Sequence, residues 1–117
     1  MSNAPGSEIQ TLAEWEELLQ LSRQKPVLLL KHSTACPISA GAWKQFQSHL
    51  QHADPRIEYR FVKVIESRPV SNRIAEDLQV QHESPQAIFI KNGQAVWHDS
   101  HLAITVEKLE EVLSSWI

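Results

Sequence analysis

The spacing of apolar residues divides the chain into alternating helical and extended segments. In the helical segments apolar residues recur every three or four positions, whereas in the extended segments they run together or alternate with polar residues. The order from the N-terminus is helix, strand, helix, strand, helix, strand, strand, helix. The predicted helices cover residues 12–22, 36–50, 71–78 and 105–116, and the predicted strands cover residues 27–31, 57–65, 87–90 and 95–97.

Polar residues and a proline mark where the predicted helices begin. Thr11 and Glu14 have the spacing of a capping box, in which each side chain satisfies a free backbone N–H group at the helix start. Pro37 suits the first position of the second helix, where a missing N–H costs nothing. Ser71 and Thr105 are the predicted N-caps of the third and fourth helices.

These elements predict an α/β domain whose mixed four-stranded sheet is flanked by helices. The helix between the first two strands implies a right-handed parallel crossover. Asn92-Gly93 is a strong hairpin signal, so the last two strands are expected to be antiparallel. Residues 9–117 form this single domain, and residues 1–8 are interpreted as a flexible tail or a remnant of the expression vector.

The charge and composition exclude several classes of function. The net charge of -3 and the pI of about 6.0 leave no basic stripe for a nucleic acid. The longest apolar run, residues 27–30, is too short to span a membrane, and no secretory signal opens the chain. The lone cysteine, Cys36, cannot form an internal disulfide, which favours a reducing compartment such as the cytoplasm. His98 and His101 are close in sequence, but the chain lacks the further ligands that a metal site needs.

Cys36, at the start of the second predicted helix, is the candidate nucleophile. The first N–H groups of a helix lack partners within it and favour a thiolate, which is the reactive form of cysteine. Ser39 stands where a C-x-x-C motif would carry its second thiol, and its hydroxyl is expected to donate a hydrogen bond to the Cys36 sulfur. The predicted chemistry is therefore monothiol exchange with an external thiol. The alternative is that Cys36 is a buried, inert core residue.

The segment around Cys36 resembles the active site of a known family. Residues 30–39 read Leu-Lys-His-Ser-Thr-Ala-Cys-Pro-Ile-Ser. They resemble the T-C-P-I-S signature of the monothiol bacilliredoxins, the YtxJ-like family of the bacillithiol system, with Ala35 as the residue before the cysteine. The resemblance spans about residues 9 to 115 and is extended by residues 82–87, 91–93, 96–98 and 100–101.

This resemblance implies a thioredoxin-like fold and a cytoplasmic thiol–disulfide oxidoreductase. The expected substrates are client proteins that carry bacillithiol, a cysteine–glucosamine–malate thiol, in a mixed disulfide. Cys36 would attack the bacillithiol sulfur and free the client thiol, and a second bacillithiol would regenerate Cys36. Bacillithiol is thus the expected cosubstrate, and no cofactor is expected to be bound. A pyridine-nucleotide-dependent flavin disulfide reductase would recycle the oxidised small thiol.

The resemblance also suggests which residues line the cleft. Pro85 is expected to be a cis proline that faces the nucleophile, with the backbone of Ser84 turned toward the substrate. Thr34 and Pro37 are the expected substrate contacts beside Cys36. The alternative for Pro85 is an ordinary trans proline at a strand start, and the alternative for Thr34 is simple solvation of its loop.

The connection between the last strand and the last helix is the second expected binding segment. His98, Ser100 and His101 are expected to bind the malate or glucosamine of bacillithiol through imidazole, hydroxyl and backbone N–H donors. A solvated loop is again the alternative. Three further residues near the motifs have roles that the sequence leaves open, namely Lys31, His32 and His82.

Two other classes of function compete with the oxidoreductase. The first is a non-enzymatic redox-sensing or client-binding module, which would hold its clients even without the thiol of Cys36. The second is a transferase that uses the small thiol as a cosubstrate. The C-x-x-S helix start and the Ser84-Pro85 segment favour thiol exchange over both.

Overall fold

A computed structural model describes residues 5–116 of the chain. The elements follow the order β1 (Ser7–Glu8), α1 (Leu12–Leu21), β2 (Val27–His32), α2 (Pro37–Leu50), β3 (Glu58–Lys63), α3 (Arg68–Leu78), β4 (Gln86–Lys91), β5 (Gln94–Ser100) and α4 (Val106–Trp116). A short 3-10 helix, His101–Ala103, joins β5 to α4. Within residues 5–116, no helix is long and apolar enough to cross a membrane.

The five strands form one mixed sheet with the order β1-β3-β2-β4-β5. The strand β3 is parallel to both of its neighbours, β1 and β2. The strand β4 is antiparallel to both of its neighbours, β2 and β5. The parallel crossover through α2 and the terminal hairpin are therefore confirmed. The predicted count of four strands was wrong, because β1 adds a fifth.

The strand β1 lies in the segment that we interpreted as a tail. Its ends are fixed to β3, because Gly6 N–H donates to the Tyr59 carbonyl and Ile9 N–H donates to the Phe61 carbonyl, both at 2.8 Å. The Arg60 guanidinium also donates to the backbone of β1. A strand of two residues has no apolar periodicity, so the sequence gives no sign of it. The domain therefore begins before residue 9, and residues 1–4 of the predicted tail lie outside the described part of the chain.

The sheet separates two apolar cores. On one face it packs against α1 and α3, and on the other face it packs against α2 and α4. The central strand β2 supplies Val27 and Leu29 to the first core and Leu28 and Leu30 to the second. This division explains its continuous apolar run, since a strand covered on both faces needs apolar residues at successive positions.

Several predicted boundaries were confirmed and others were wrong. The capping box of Thr11 with Glu14 is present, and Thr105 accepts a bond from the Lys108 N–H at 3.1 Å. The helix α3 begins at Arg68 with Ser67 as N-cap, so Ser71 is not its cap. A proline in the first turn, Pro69, is tolerated there because that turn has no intrahelical N–H bonds to lose.

The strand β5 is longer than predicted. It continues through His98 and Asp99 to Ser100, because β4 offers pairing partners as far as Gln86. These three residues were expected in the connection to the last helix, and the structure corrects that expectation. The connection is instead the short 3-10 helix that starts at His101.

His49 on α2 should make the fold sensitive to acid. Its side chain is 3% exposed and packs against the Tyr59 ring, and neither ring nitrogen has a hydrogen-bond partner among the described residues. Burial lowers the pKa of His49 below its ordinary value of 6.5, despite an opposing effect of Glu110. The unfolded chain therefore binds more protons than the folded chain as the pH falls below 6.5, and stability falls with it.

We predict that His49→Leu reduces the loss of stability between pH 7.5 and pH 5.5, as measured by urea unfolding. The loss should shrink rather than vanish, because the pKa values of His32 and His82 are also lowered by burial. His98→Leu, the same change at an exposed histidine of β5, serves as the control. An unchanged acid sensitivity in His49→Leu would contradict the prediction.

Candidate active site

Cys36 lies where β2 turns into α2. The strand ends at His32, and Cys36 is the N-cap of α2 with an extended backbone (φ -115°, ψ 124°), followed by Pro37 at the helix start. Its carbonyl accepts the N–H of Ala40 at 3.0 Å, while its side chain makes no capping hydrogen bond. The thiol is free and partly exposed, which argues against an inert core cysteine. The helix start thus holds a partly exposed cysteine whose side chain is not bonded to the N–H groups of the first turn.

Ser39 does not hydrogen bond with Cys36, so the predicted contact was wrong. The side chain is fully buried, and its hydroxyl accepts the Ser33 N–H at 2.8 Å. The same oxygen lies 2.8 Å from Nδ1 of His32. These two bonds fasten the first turn of α2 to the end of β2. Ser39 therefore shapes the turn that carries Cys36, the candidate nucleophile, and its hydroxyl is directed to the strand rather than to the sulfur.

His32 is a part of the site whose role the sequence left open. Its side chain is buried beneath α2, where the ring stacks on Trp43 with centroids 5.0 Å apart and planes 16° apart. Burial, followed by the nearby Lys63, lowers the pKa of His32, which favours the neutral ring. A neutral ring can either donate to or accept from Ser39. Its alternation with Leu28 and Leu30 along β2 is the sequence feature that could have placed it under α2.

Ser84 and Pro85 lead into β4 beside the end of β2, where the opposite wall of the cleft was expected. The peptide bond between them is cis, and Pro85 is buried just before β4 begins. In the antiparallel pair of β2 and β4, Lys31 is the partner of Gln86. Continuing that register puts Pro85 beside His32 and Ser84 beside the turn that leads to Cys36. The buried hydroxyl of Ser84 has no hydrogen-bond partner among residues 5–116.

The 3-10 helix brings one more expected residue to this wall. His101 N–H donates to the Pro85 carbonyl at 3.0 Å, and the His101 ring lies 3.0 Å from the Ser100 hydroxyl. Ser100 is paired with Gln86, one residue beyond Pro85. His98 is not brought to the wall. It is paired with Ile88, a residue of the α1–α3 core, so its side chain lies on the sheet face opposite α2.

The two residues expected beside the sulfur are both exposed, and one is engaged elsewhere. The Thr34 hydroxyl donates to the Glu66 carboxylate at 2.9 Å, so its proton is already used. Pro37 is exposed on the first turn of α2. The described residues contain no cluster of three or more histidine, cysteine, aspartate or glutamate residues that could hold a metal ion.

A groove that the sequence did not reveal runs between α2 and the 3-10 helix. Its volume is about 220 Å3, and it begins two residues after Cys36 at Ile38. Ile38 is 42% exposed and Leu102 is 81% exposed, so the groove is flanked by uncovered apolar side chains. The other residues that line it are Gly41, Ala42, Gln45, His101, Ile104 and Thr105. No sequence signal predicts this groove, because a single leucine in a three-residue helix forms no apolar pattern.

We predict that Ser39→Ala destabilises the fold without slowing the chemistry of Cys36. Removing the hydroxyl leaves the buried Ser33 N–H without its acceptor, which costs about 1–3 kcal/mol. Urea unfolding measures this loss, and the rate of Cys36 alkylation by iodoacetamide at pH 7 should change less than about threefold, since a direct bond would matter by about 1 kcal/mol. Ser48→Ala, on an exposed face of α2, is the control. If Ser39→Ala kept the stability of the unaltered protein and slowed the alkylation of Cys36, the result would contradict the prediction and support a hydrogen bond from Ser39 to the sulfur.

Comparisons with solved structures agree with this architecture. The chain is 33% identical to a solved structure described as a candidate oxidoreductase with a thioredoxin fold, with a TM-score of 0.81 and coverage of 92% of this chain and 93% of that one. Thioredoxin from Schistosoma mansoni matches at 19% identity, with a TM-score of 0.77 and coverage of 97% and 99%. Thioredoxin from Fasciola hepatica matches at 18% identity, with a TM-score of 0.74 and coverage of 93% and 97%. The two thioredoxins support the fold alone, and the thioredoxin-like fold is therefore confirmed.

A family profile covers almost the whole domain. The family described as monothiol bacilliredoxin BrxC matches residues 7–109, a span that includes Cys36, Ser39, Ser84, Pro85 and His101. The match begins in β1 and ends in α4, so it covers both walls of the cleft. Its extent identifies the chain as a member of the monothiol bacilliredoxin BrxC family of redox proteins.

Proposed function

We propose that this protein removes bacillithiol from protein mixed disulfides by monothiol exchange at Cys36. The observation that carries the proposal is the lone cysteine itself, which is partly exposed at the start of α2 with Ser39 in the position of a resolving thiol. Because no second cysteine exists in the chain, an internal disulfide cannot complete the reaction. An external thiol has to release whatever Cys36 accepts.

The exchange proceeds in two balanced steps. The Cys36 thiolate attacks the bacillithiol sulfur of the mixed disulfide, a Cys36–bacillithiol disulfide forms, and the client thiolate leaves and takes up a proton. The thiolate of a second bacillithiol then attacks the bacillithiol sulfur on Cys36 and releases the Cys36 thiolate. The two bacillithiol molecules end as their own disulfide, so they supply the electrons that reduce the client. A pyridine-nucleotide-dependent flavin disulfide reductase would return that disulfide to the thiol.

The cleft offers polar groups for the substrate. Ser84, whose buried hydroxyl has no hydrogen-bond partner among residues 5–116, is assigned to the incoming disulfide or to its client segment. His101, whose N–H donates to the Pro85 carbonyl, is assigned to the malate or glucosamine of bacillithiol, and the Ser100 hydroxyl lies 3.0 Å from its ring nitrogen. Thr34 and Pro37 are assigned to the substrate side of Cys36, where both are exposed. His98 and Ser100 are left out of this assignment as direct contacts, because they pair with Ile88 and Gln86 on the sheet face opposite α2.

The supply of the cosubstrate fits one compartment. A reduced small thiol and its reductase have to be present at the same place as the client proteins, and these conditions hold in a reducing cytoplasm. We therefore assign the protein to the cytoplasm, with bacillithiol as its cosubstrate and no bound cofactor.

A client-binding module is the second candidate function. The groove between α2 and the 3-10 helix favours it, because Ile38, two residues after Cys36, and Leu102 are exposed along it and suit an apolar side chain of a protein client. This function would need no thiolate. Binding of a client that persists in full after Cys36→Ser, without any release of small thiol, would support it.

We expect the protein to release bacillithiol from a client that carries it in a mixed disulfide. Mass spectrometry should find a bacillithiol adduct on Cys36 when no second thiol is added, and Cys36→Ser should lower the release rate by about 1,000-fold or more, as expected for loss of a nucleophile. Ser48→Ala should keep the full rate.

The same client loaded with glutathione tests the identity of the small thiol. Faster release of bacillithiol than of glutathione is expected from a binding segment suited to malate and glucosamine. Equal rates for Cys36→Ser and the unaltered protein would contradict the proposed reaction, and a preference for glutathione would contradict its substrate.

A further inference from the structure

The side chain of Lys31 is fully buried on the face of β2 opposite α2. It lies five residues before Cys36, and its ammonium group donates to the Ser71 carbonyl and to Nδ1 of His82, each at 3.2 Å. The ion pairs found among residues 5–116 do not include it. Lys31 is thus a buried cation whose bonds go to a carbonyl and an imidazole instead of a carboxylate.

Such a cation is unfavourable for folding. Removing an ammonium group from water carries a large free-energy cost, which a neutral carbonyl and a neutral ring compensate only in part. Burial accordingly lowers the pKa of Lys31 to about 8, which still leaves most of the population charged at pH 7. Methionine has a similar length and would fill the same space without this cost. Stability alone therefore does not explain a lysine at this position.

The ammonium group fixes the tautomer of His82. An ammonium nitrogen has no lone pair and can only donate, so Nδ1 of His82 has to accept and Nε2 has to carry the ring proton. The Ser71 hydroxyl lies 3.5 Å from the same Nδ1, but a hydroxyl can donate or accept and does not select a tautomer by itself. Burial, and then the charges of Lys31 and Arg68, lower the pKa of His82, while Glu83 opposes them. The ring is consequently neutral at pH 7. The Nδ1 atom faces the buried Lys31, whereas the residue as a whole is exposed. The Nε2–H donor therefore lies on the side of the ring that faces solvent.

His82 belongs to the loop that carries the cleft wall. The loop joins α3 to β4, and His82 precedes Ser84 by two residues. Gln86, the β4 residue paired with Lys31, donates through its side chain to the Gln81 carbonyl at 3.1 Å. The buried side chains of Lys31 and Gln86, which are paired across the sheet, therefore bind two successive residues of this loop. Lys31 binds His82, and Gln86 binds Gln81.

We propose that Lys31 is a positioning residue for thiol exchange, which acts through His82. Its bond to the His82 ring holds the loop of Ser84 and Pro85 against the cleft. The same bond keeps the Nε2–H donor of His82 on the solvent side of the ring. The inference rests on the proposed function for its effect on rate, and its structural half stands independently. Lys31 lies on the sheet face opposite α2, whereas the turn that carries Cys36 is fastened on the α2 face by Ser39 and His32. Its removal should therefore disturb substrate engagement while leaving the thiol intact.

Lys31→Met provides the test. Thermal unfolding should show equal or higher stability, because a buried charge is replaced by an apolar chain of similar length. Alkylation of Cys36 by iodoacetamide at pH 7 should keep its rate. The kcat/KM for release of bacillithiol from a client should nevertheless fall by about five- to tenfold, as expected for loss of one hydrogen bond that orders the cleft. Lys44→Met, at an exposed lysine of α2, should change none of the three.

A double-mutant cycle establishes whether the effect passes through His82. We expect His82→Leu to lower kcat/KM by a similar factor, and Lys31→Met to add no further loss in the His82→Leu background. Additive losses would overturn the route through His82. Full activity of Lys31→Met, or a loss of activity that follows a loss of stability, would overturn the positioning role itself.

Nuclear magnetic resonance of the His82 ring separates this inference from the proposed function. The ring nitrogens of the unaltered protein at pH 7 should show the Nε2–H tautomer alone, and those of Lys31→Met should show a mixture of tautomers. The protein could exchange no thiol and yet show the expected change of His82 tautomer between the unaltered protein and Lys31→Met. In that case the proposed function fails, whereas the inference that Lys31 holds the His82 loop stands. A mixture of tautomers already present in the unaltered protein would overturn the inference, whatever the activity.

Discussion

The structure depends on the burial of the central strand β2 on both faces. All six of its residues, Val27–His32, are buried, and the strand is hydrogen-bonded to β3 on one side and to β4 on the other. Its first four residues are apolar and fill the two cores. The last two, Lys31 and His32, are polar and equally buried. Each of them therefore has to find its partners in the layer that it faces, because an unpaired buried polar group is costly.

This requirement connects the strand to both walls of the cleft. On the face of α2, His32 meets Ser39, which also binds the turn before Cys36 through the Ser33 N–H. On the face of α3, Lys31 meets His82 in the loop before the cis proline. The turn that carries Cys36 and the loop before the cis proline are thus fastened to adjacent residues of one strand.

The sequence was sufficient where the physical cause is local. The apolar run of β2, the capping box before α1 and the proline after Cys36 are each determined by neighbouring residues, and the structure agrees with them. Where the cause is a distant segment, the prediction failed. The strand β1 exists only through its bonds to β3, and β5 extends to Ser100 only because Gln86 is its partner across the sheet.

The same distinction between local and distant causes applies to the residues of the candidate site. Cys36 at a helix start follows from the residues next to it. The orientation of Ser39 could not be predicted, because the helix spacing puts it near Cys36 while the end of a separate strand offers it two stronger partners. Likewise, the residues next to Lys31 in the sequence do not predict its contact with His82, which lies in a loop 51 residues further along the chain. Polar residues at the end of a buried strand are a sign that distant partners exist, although they do not say which ones.

The engagement of Ser39 also bears on how proteins of this kind could change their chemistry. A cysteine at position 39 would supply a resolving thiol and turn the C-x-x-S motif into C-x-x-C. A thiol is a weaker acceptor than a hydroxyl, however, so the Ser33 N–H and the His32 ring would lose part of what holds them. Conversion from one active sulfur to two is therefore not a neutral single step for this chain. It calls for compensating changes at the end of β2, because the same hydroxyl fastens the first turn of α2 to that strand end.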